Sequence, residues 1–398
     1  MAGMALNSDT PQTKTTSSLI NDPRVRGIFY QILTVVLLVL FVWTVAQNTI
    51  HNLQRANIAS GFDFLKGRAG FDIGQSMIAY SSDSTYGRAL VVGILNTLQV
   101  AIIGIITASI IGFIVGIARL SNNWLIAKLA QIYVEVFRNI PPLLVIFFWY
   151  KGVLTILPQA RDSLVLPLGS FLNNRGLFVP KPIWGDGTWM MLVAILVGIV
   201  ATVIVARWAK QRQMRTGQPF HTVWTGLALI IGLPAVTFVA LGSPITFDYP
   251  IAGRFNLSGG SVLGPEFMSL YLALSFYTAA FIAEIVRAGI RSVAKGQTEA
   301  ANALGLRSTE ITRLIVLPQA LRIIIPPLTS QYLNLTKNSS LAVAVGFADV
   351  VAIGGTMLNQ TGQAVEIVAL WLVIYLTISV STAVLMNWFN SRMALVER

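Results

Sequence analysis

Long apolar runs, most of them long enough for one membrane crossing, alternate along this chain with short stretches rich in charge, Gly and Pro. A hydrocarbon core of ~30 Å crossed at ~1.5 Å per residue needs roughly 20 apolar residues per helix. Eight segments meet that demand: residues 28–47, 90–118, 126–157, 189–208, 223–241, 267–290, 321–345 and 365–389. Two of them carry paired prolines, Pro141-Pro142 and Pro326-Pro327. Proline lacks the N–H that a helix uses and clashes with the preceding turn, so each is either a kinked span or two shorter pieces. The pattern predicts an all-α, polytopic membrane protein of about eight transmembrane helices. The first run follows a polar leader of about 27 residues, exceeds the ~7–15 residues of a signal-peptide core and is followed by no small-residue cleavage site, so it is expected to be retained.

Composition agrees with this pattern. Of 398 residues, 55% are hydrophobic and 11% charged, against about 25% charged in typical soluble domains. Cysteine is absent, which excludes a disulfide framework or thiolate metal site. The two histidines, His51 and His221, stand far apart near predicted span ends and suit interfacial positions better than metal ligation, so no metal is expected. A net charge of +12 points to nucleic acid only if the cations gather on a soluble face, whereas membrane proteins collect Lys and Arg in cytoplasmic loops. With the N-terminus inside, the cytoplasmic segments hold 17 of the 28 cations and the outer segments nine. Both termini are therefore expected in the cytoplasm, with lipid and not nucleic acid as the surroundings. The outer loops 51–87 and 158–187 are rich in turn-forming residues and too short to be binding domains.

The most informative polar stretch runs from Glu299 to Pro318. It is too polar to remain in lipid yet lies between apolar runs, so it should rest at the membrane surface. Gly296 is expected to end the preceding helix, Thr298 to cap a new one and Glu299 to sit at its positive end. Ala300, Ala301, Ala303 and Leu304 make that helix smooth, and Gly305 can close it with positive φ. Ser308 is then expected to cap the next helix, with Glu310 in its first turn. Leu304 and Leu306 supply apolar anchors for a partner groove. By local chemistry alone the stretch is equally a plain interhelical connector. A DNA-reading helix-turn-helix also joins two helices through a turn, but confinement between spans argues against it.

The spacing Glu299-Ala300-Ala301, then Gly305, then Ile315-x-Leu317-Pro318, resembles the EAA loop of ABC-importer permeases. Residues 283–290 (Ala-Glu-Ile-Val-Arg-Ala-Gly-Ile), Lys295-Gly296-Gln297, residues 337–342 and residues 93–98 resemble segments of the polar amino acid permeases of that class. The resemblance covers roughly residues 88–157 and 267–398. It departs at Arg138-Asn139-Ile140-Pro141, where many relatives read Arg-Gly-Thr-Pro, and in having one extra span at the front and two between 160 and 264. That enlarged plan resembles the permeases of general L-amino acid importers. The implied organisation is a cytoplasmic tail (1–27), an extra first span and outer loop (28–87), a first core part (88–157), an inserted region (158–265) and a second core part (266–398) containing the coupling loop (about 291–320).

The resemblance implies a transport subunit of the bacterial inner membrane that works with a periplasmic amino-acid-binding protein, a second permease chain, related but different, and two copies of an ATP-binding subunit. ATP and Mg would then belong to the partner. The sequence fits that division independently, since a phosphate-binding loop needs Gly-x4-Gly-Lys-Ser/Thr and the only Lys followed by Ser or Thr is Lys14, without such glycines. An ion-gradient-driven secondary transporter or channel is the alternative, and a membrane scaffold a third.

Candidates for the translocation path are polar groups inside spans, because an ion at mid-membrane costs at least ~2.5–3.5 kcal/mol and must face protein or water. Glu135/Arg138 and Glu284/Arg287, three apart on helices, are either such groups or self-neutralising pairs. Lys337-Asn338-Ser339-Ser340 is expected to be unwound backbone that meets an amino acid carboxylate, or else a polar packing patch. Glu366 either answers a substrate ammonium or satisfies a helix dipole.

Overall fold

The computed structural model describes residues 23–55, 61–253 and 256–393. Most of the expected tail 1–27, with Lys14, lies outside the described residues, as do Arg254 and Arg398.

Helix α1 (Pro23–Arg55) carries exposed apolar side chains on every side, as a helix surrounded by lipid does. After it, residues 61–85 form a packed cap rather than a loose loop. The Tyr80 hydroxyl donates to the Phe71 carbonyl at 2.9 Å, and Asn96 Nδ2 reaches the carbonyls of Gln75 and Ala348 at 2.9 Å each. Ala69, Ala89, Val92, Ile353, Met357 and Ile367 make the small apolar core under this cap.

The bundle proper starts with α2 (Tyr86–Ala118), whose N-terminus is capped by Thr85. Next come α3 (Trp124–Asn139) and α4 (Pro142–Phe147), the latter continued by a π turn and a 3-10 turn to Ile156. The two pieces of this third segment meet at 110°, so the first proline pair breaks its helix. Ile140 is extended (φ −102°, ψ 134°), as steric conflict with a following proline favours, and Pro142 opens the new helix at its first position.

The insertion is built around short antiparallel strands that the helical pattern did not predict. Strands β1 (Leu164–Leu166), β2 (Ser170–Asn173) and β3 (Gly176–Val179) lead into β4 (Lys181–Trp184). Helices α5 (Trp189–Thr216) and α6 (Thr222–Ala240) follow, then β5 (Ile245–Asp248), β6 (Ile251–Ala252), β7 (Leu257–Ser258) and β8 (Ser261–Leu263). The sheet order β1-β2-β3-β8 brings the start and end of the insertion together, with Val179 opposite Ser261. Strand β4 pairs with β5 beyond that neck, β6 pairs with β7, and α5 and α6 pack chiefly on each other.

The chain returns to the bundle through α7 (Pro265–Arg291), the surface helix α8 (Lys295–Ala303) and the single turn α9 (Ser308–Ile311). Helix α10 (Leu317–Asn338) continues as a 3-10 stretch to Val345, followed by α11 (Val350–Thr361) and α12 (Ala364–Met393). The second proline pair, unlike the first, stays inside a continuous helix. Its neighbours Ile324, Ile325 and Leu328 are buried, whereas Ile140 and Pro141 are exposed. Packing on both sides thus holds α10 together where proline alone would bend it.

Helices α2, α7 and α10 form the core, and a stripe of small residues on α2 lets them approach. Gly104, Ala108, Gly112 and Gly116 recur every four residues and share one face. A Cβ at Gly112 would lie 2.6 Å from Cβ of Ile282, and one at Gly116 2.8 Å from the Ala283 carbonyl. Among the described residues seven helices are long and apolar enough to cross a membrane, or eight with the bent pair counted as one span.

Candidate functional site: a surface coupling loop and a buried charge cluster

Helix α8 ends in a Schellman closure. Gly305 takes φ +75°, its N–H reaches the Asn302 carbonyl at 2.9 Å, and the Leu306 N–H reaches back to the Ala301 carbonyl at 3.2 Å. Nothing lies within 4 Å of the position where a Gly305 Cβ would stand, so the requirement for glycine is conformational and not steric. Ala301 is buried toward α9 and the turn after it, while Glu299, Ala300 and Leu304 face out, Leu304 with 81% exposure. Leu306 is half-buried. The loop therefore presents one anchor leucine and an alanine-smooth surface around a carboxylate.

The expected caps are corrected. Helix α8 begins at Lys295, so Gly296 lies inside it, and Thr298 donates to the Lys295 carbonyl at 2.7 Å instead of capping free amides. Arg307 holds the position before α9 and Ser308 is its first residue. Glu310 supports that turn by accepting from the Arg307 N–H at 2.9 Å.

Ile315, Leu317 and Pro318 lie on the rising helix that follows. Residues Thr312–Val316 form a π turn in which the Leu317 N–H reaches the Thr312 carbonyl. The wider turn accommodates Pro318, which has no N–H to give, without ending a helical stretch that runs from Ser308 to Val345. Ile315 and Pro318 are half-buried and Leu317 is 44% exposed. One turn on, Arg322 has Nε and Nη2 buried without a hydrogen-bond partner.

Close to the loop, Glu284 on α7 is held by three guanidiniums. Arg119 at the end of α2 and Arg287 one turn along α7 both bond it, the latter also through Nε at 3.3 Å, and Arg138 on α3 stands 3.8 Å away. The cluster ties together the C-terminal end of α2, the proline end of α3 and α7 two turns before its own end. Arg138 also lies 5.5 Å from the Phe281 ring centre and makes no ion pair with Glu135, so of the two expected i,i+3 pairs only Glu284/Arg287 forms.

The remaining path candidates lie elsewhere. Lys337 is exposed, Asn338 and Ser340 are half-buried and Ser339 is fully buried. The backbone here stays helical instead of unwinding: α10 runs to Asn338 and a 3-10 stretch starts at Ser339, with Ser339 Oγ donating to the Thr336 carbonyl at 2.7 Å and Ser340 Oγ to that of Lys337 at 2.8 Å. Glu366, 8% exposed, accepts from the Gly61 N–H at 2.8 Å and fastens the cap to the start of α12. Glu284, Lys337–Ser340 and Glu366 thus occupy three separate places. Asp349 was missed by sequence reasoning: it is fully buried, caps α11 through bonds from Val351 (3.1 Å) and Ala352 (2.8 Å), and keeps Oδ2 without a partner. Its position immediately before the apolar helical run that starts at Val350 was the available signal.

The described residues thus form a bundle of membrane-length helices that exposes a short helix, closed by a Schellman turn, between two spans, with a charge cluster nearby. Residues 215–395 match the family described as the inner membrane component of binding-protein-dependent transport systems. The general L-amino acid transport permease AapQ of Rhizobium johnstonii is 68% identical over 96% of this chain and 95% of its own length. YhdX of Escherichia coli, a putative amino-acid ABC transporter permease, is 50% identical over 95% and 96%. BztB of Rhodobacter capsulatus, from a glutamate/glutamine/aspartate/asparagine transport system, is 41% identical over 99% of this chain and 100% of its length. The chain belongs to this family of ABC-transporter permease proteins.

Proposed function

We propose that this chain is a permease subunit of an ATP-binding-cassette importer that carries L-amino acids across the bacterial inner membrane. The observation that carries the coupling part is the exposed α8 helix with its Schellman turn at Gly305, placed between α7 and the rising Ser308–Val345 helix. A force applied to α8 reaches α7 through the three residues between them and α10 through the π turn. The partners in this reading are two ATP-binding subunits, which hold ATP and Mg, a second and related permease chain, and a periplasmic amino-acid-binding protein. Both termini and α8 face the cytoplasm. The amino-acid substrate is supported by the relatives' assignments and by nearly full-length alignment to them.

Co-purification with the ATP-binding subunit tests the reading. The intact chain should retain that subunit, and Leu304→Asp should release it while the chain stays in the membrane. Substrate flux driven by an ion gradient, in vesicles without any nucleotide-binding subunit, would instead establish the secondary-transporter alternative.

A further inference from the structure

At the loop end of the bundle, α2, α3 and α7 enclose an open cavity of about 350 Å³ lined by Arg119, Trp124, Lys128, Gln131, Arg287 and Arg291. Four of these six are cations. Glu284 is the carboxylate that engages the cluster, and it is already shared among Arg119, Arg287 and Arg138. Lys128 and Arg291 form no ion pair with any described residue. Such a surplus, collected around a space large enough for a phosphate ester, calls for an anion from outside the chain.

Helix α3 indicates which anion. Trp124, 74% exposed, stands at the mouth, as aromatic side chains do at membrane interfaces. On the face of α3 next to the one that lines the cavity, an apolar stripe runs through Leu125, Leu129, Ile132 and Val136, which are 56%, 59%, 49% and 46% exposed. These positions share one helical face and span 11 residues, or about 16 Å at ~1.5 Å per residue. That length is comparable to the ~15 Å that the acyl chains of one leaflet fill in a ~30 Å core. A free anion would use the cations and leave the stripe idle, and an acidic protein segment would be poorly served by it.

We propose that this cavity binds the headgroup of an anionic phospholipid, with its acyl chain along the α3 stripe. Guanidinium forks suit phosphate oxygens, and basic pockets between membrane helices are suited to such headgroups. Bound there, the lipid bridges the ends of α2, α3 and α7 beside the segment that leads into α8, so leaflet charge is felt where the partner's force enters.

The test is lipid retention by the assembled transporter, read by native mass spectrometry after exchange into phosphatidylglycerol or phosphatidylcholine of matched chains. The wild type should retain phosphatidylglycerol preferentially. Replacing both unpaired cations, Lys128→Gln with Arg291→Gln, should lower that preference by about thirtyfold, at roughly fivefold per cation, while the Glu284 cluster and the assembly persist. Leu129→Asn should weaken lipid retention without changing binding of inorganic phosphate. Equal retention of the two lipids by the wild type, or an unchanged preference in the double variant, would overturn the proposal. Inorganic phosphate competing as well as the whole lipid would reassign the cavity to a soluble anion and overturn it too.

Discussion

Single side chains carry much of the account at the loop end. Glu284 is shared by three cations from three helices, so Glu284→Gln leaves those cations facing one another with no carboxylate between them. The cluster is half-buried, so solvent screening lowers the loss from the roughly 3–5 kcal/mol of a fully buried pair to about 1–3 kcal/mol. The expected outcome is a lower melting temperature of the purified transporter together with lost uptake, measured by thermal unfolding in one detergent. Unchanged stability would mean that the cluster is not a clamp. Asp349 permits a sharper contrast. Asp349→Asn keeps an N-cap acceptor and removes an unpartnered carboxylate oxygen, so it should be tolerated, while Asp349→Ala should lose about 1 kcal/mol with the cap. Equal losses in thermal unfolding would contradict the capping role. Glu284/Arg287 was legible as an i,i+3 pair and the glycine at 305 as a left-handed helix end. Arg119, 165 residues from its partner, was not legible, because no local periodicity records which helix ends meet.

Between elements, close approach is set by the α2 stripe. Gly112→Ala pushes a methyl group into Ile282 and the Ala279 carbonyl, and such overpacking typically costs about 1–3 kcal/mol. The reduced melting temperature should recover in part when Ile282→Ala is added, because the cavity then takes the new methyl. Absence of any recovery would show that the loss arises elsewhere. Among the described residues, the seven helices long and apolar enough to span, and the bent pair, were visible from hydropathy, since lipid imposes length and apolarity on each segment separately. The fate of the two proline pairs was not visible. The same residues break one helix and stay within another because burial at Ile324, Ile325 and Leu328 overrides local preference, and burial is a property of the assembled bundle. The caps expected at Thr298 and Ser308 misplaced their helix starts by four residues and by one, for a hydroxyl at a loop edge suits both the cap position and the first turn.

Across the whole molecule, two parts separate. Helices α2, α7 and α10 with their cap form the working core, while α5 and α6 hang from a β-strand neck that closes at Val179 and Ser261. Because the neck brings both ends of the insertion into register, a two-residue Asn-Gly turn can replace residues 180–260. The shortened chain should still enter the membrane and retain the ATP-binding subunit on co-purification; failure to insert would show that the hairpin supports the core. The neck strands β3 and β8 escaped the sequence reading because they are only four and three residues long and pair across the whole insertion.

The central claim concerns the route by which energy reaches the core. Gly305 needs positive φ, and proline, fixed near −65°, cannot provide it; Glu299→Arg reverses the charge on the docking face without touching the turn. The decisive measurement is ATP-driven uptake of a labelled L-amino acid into proteoliposomes containing the complete transporter. Gly305→Pro and Glu299→Arg should each abolish uptake while membrane insertion stays at the wild-type level. Undiminished uptake by both variants would contradict the account.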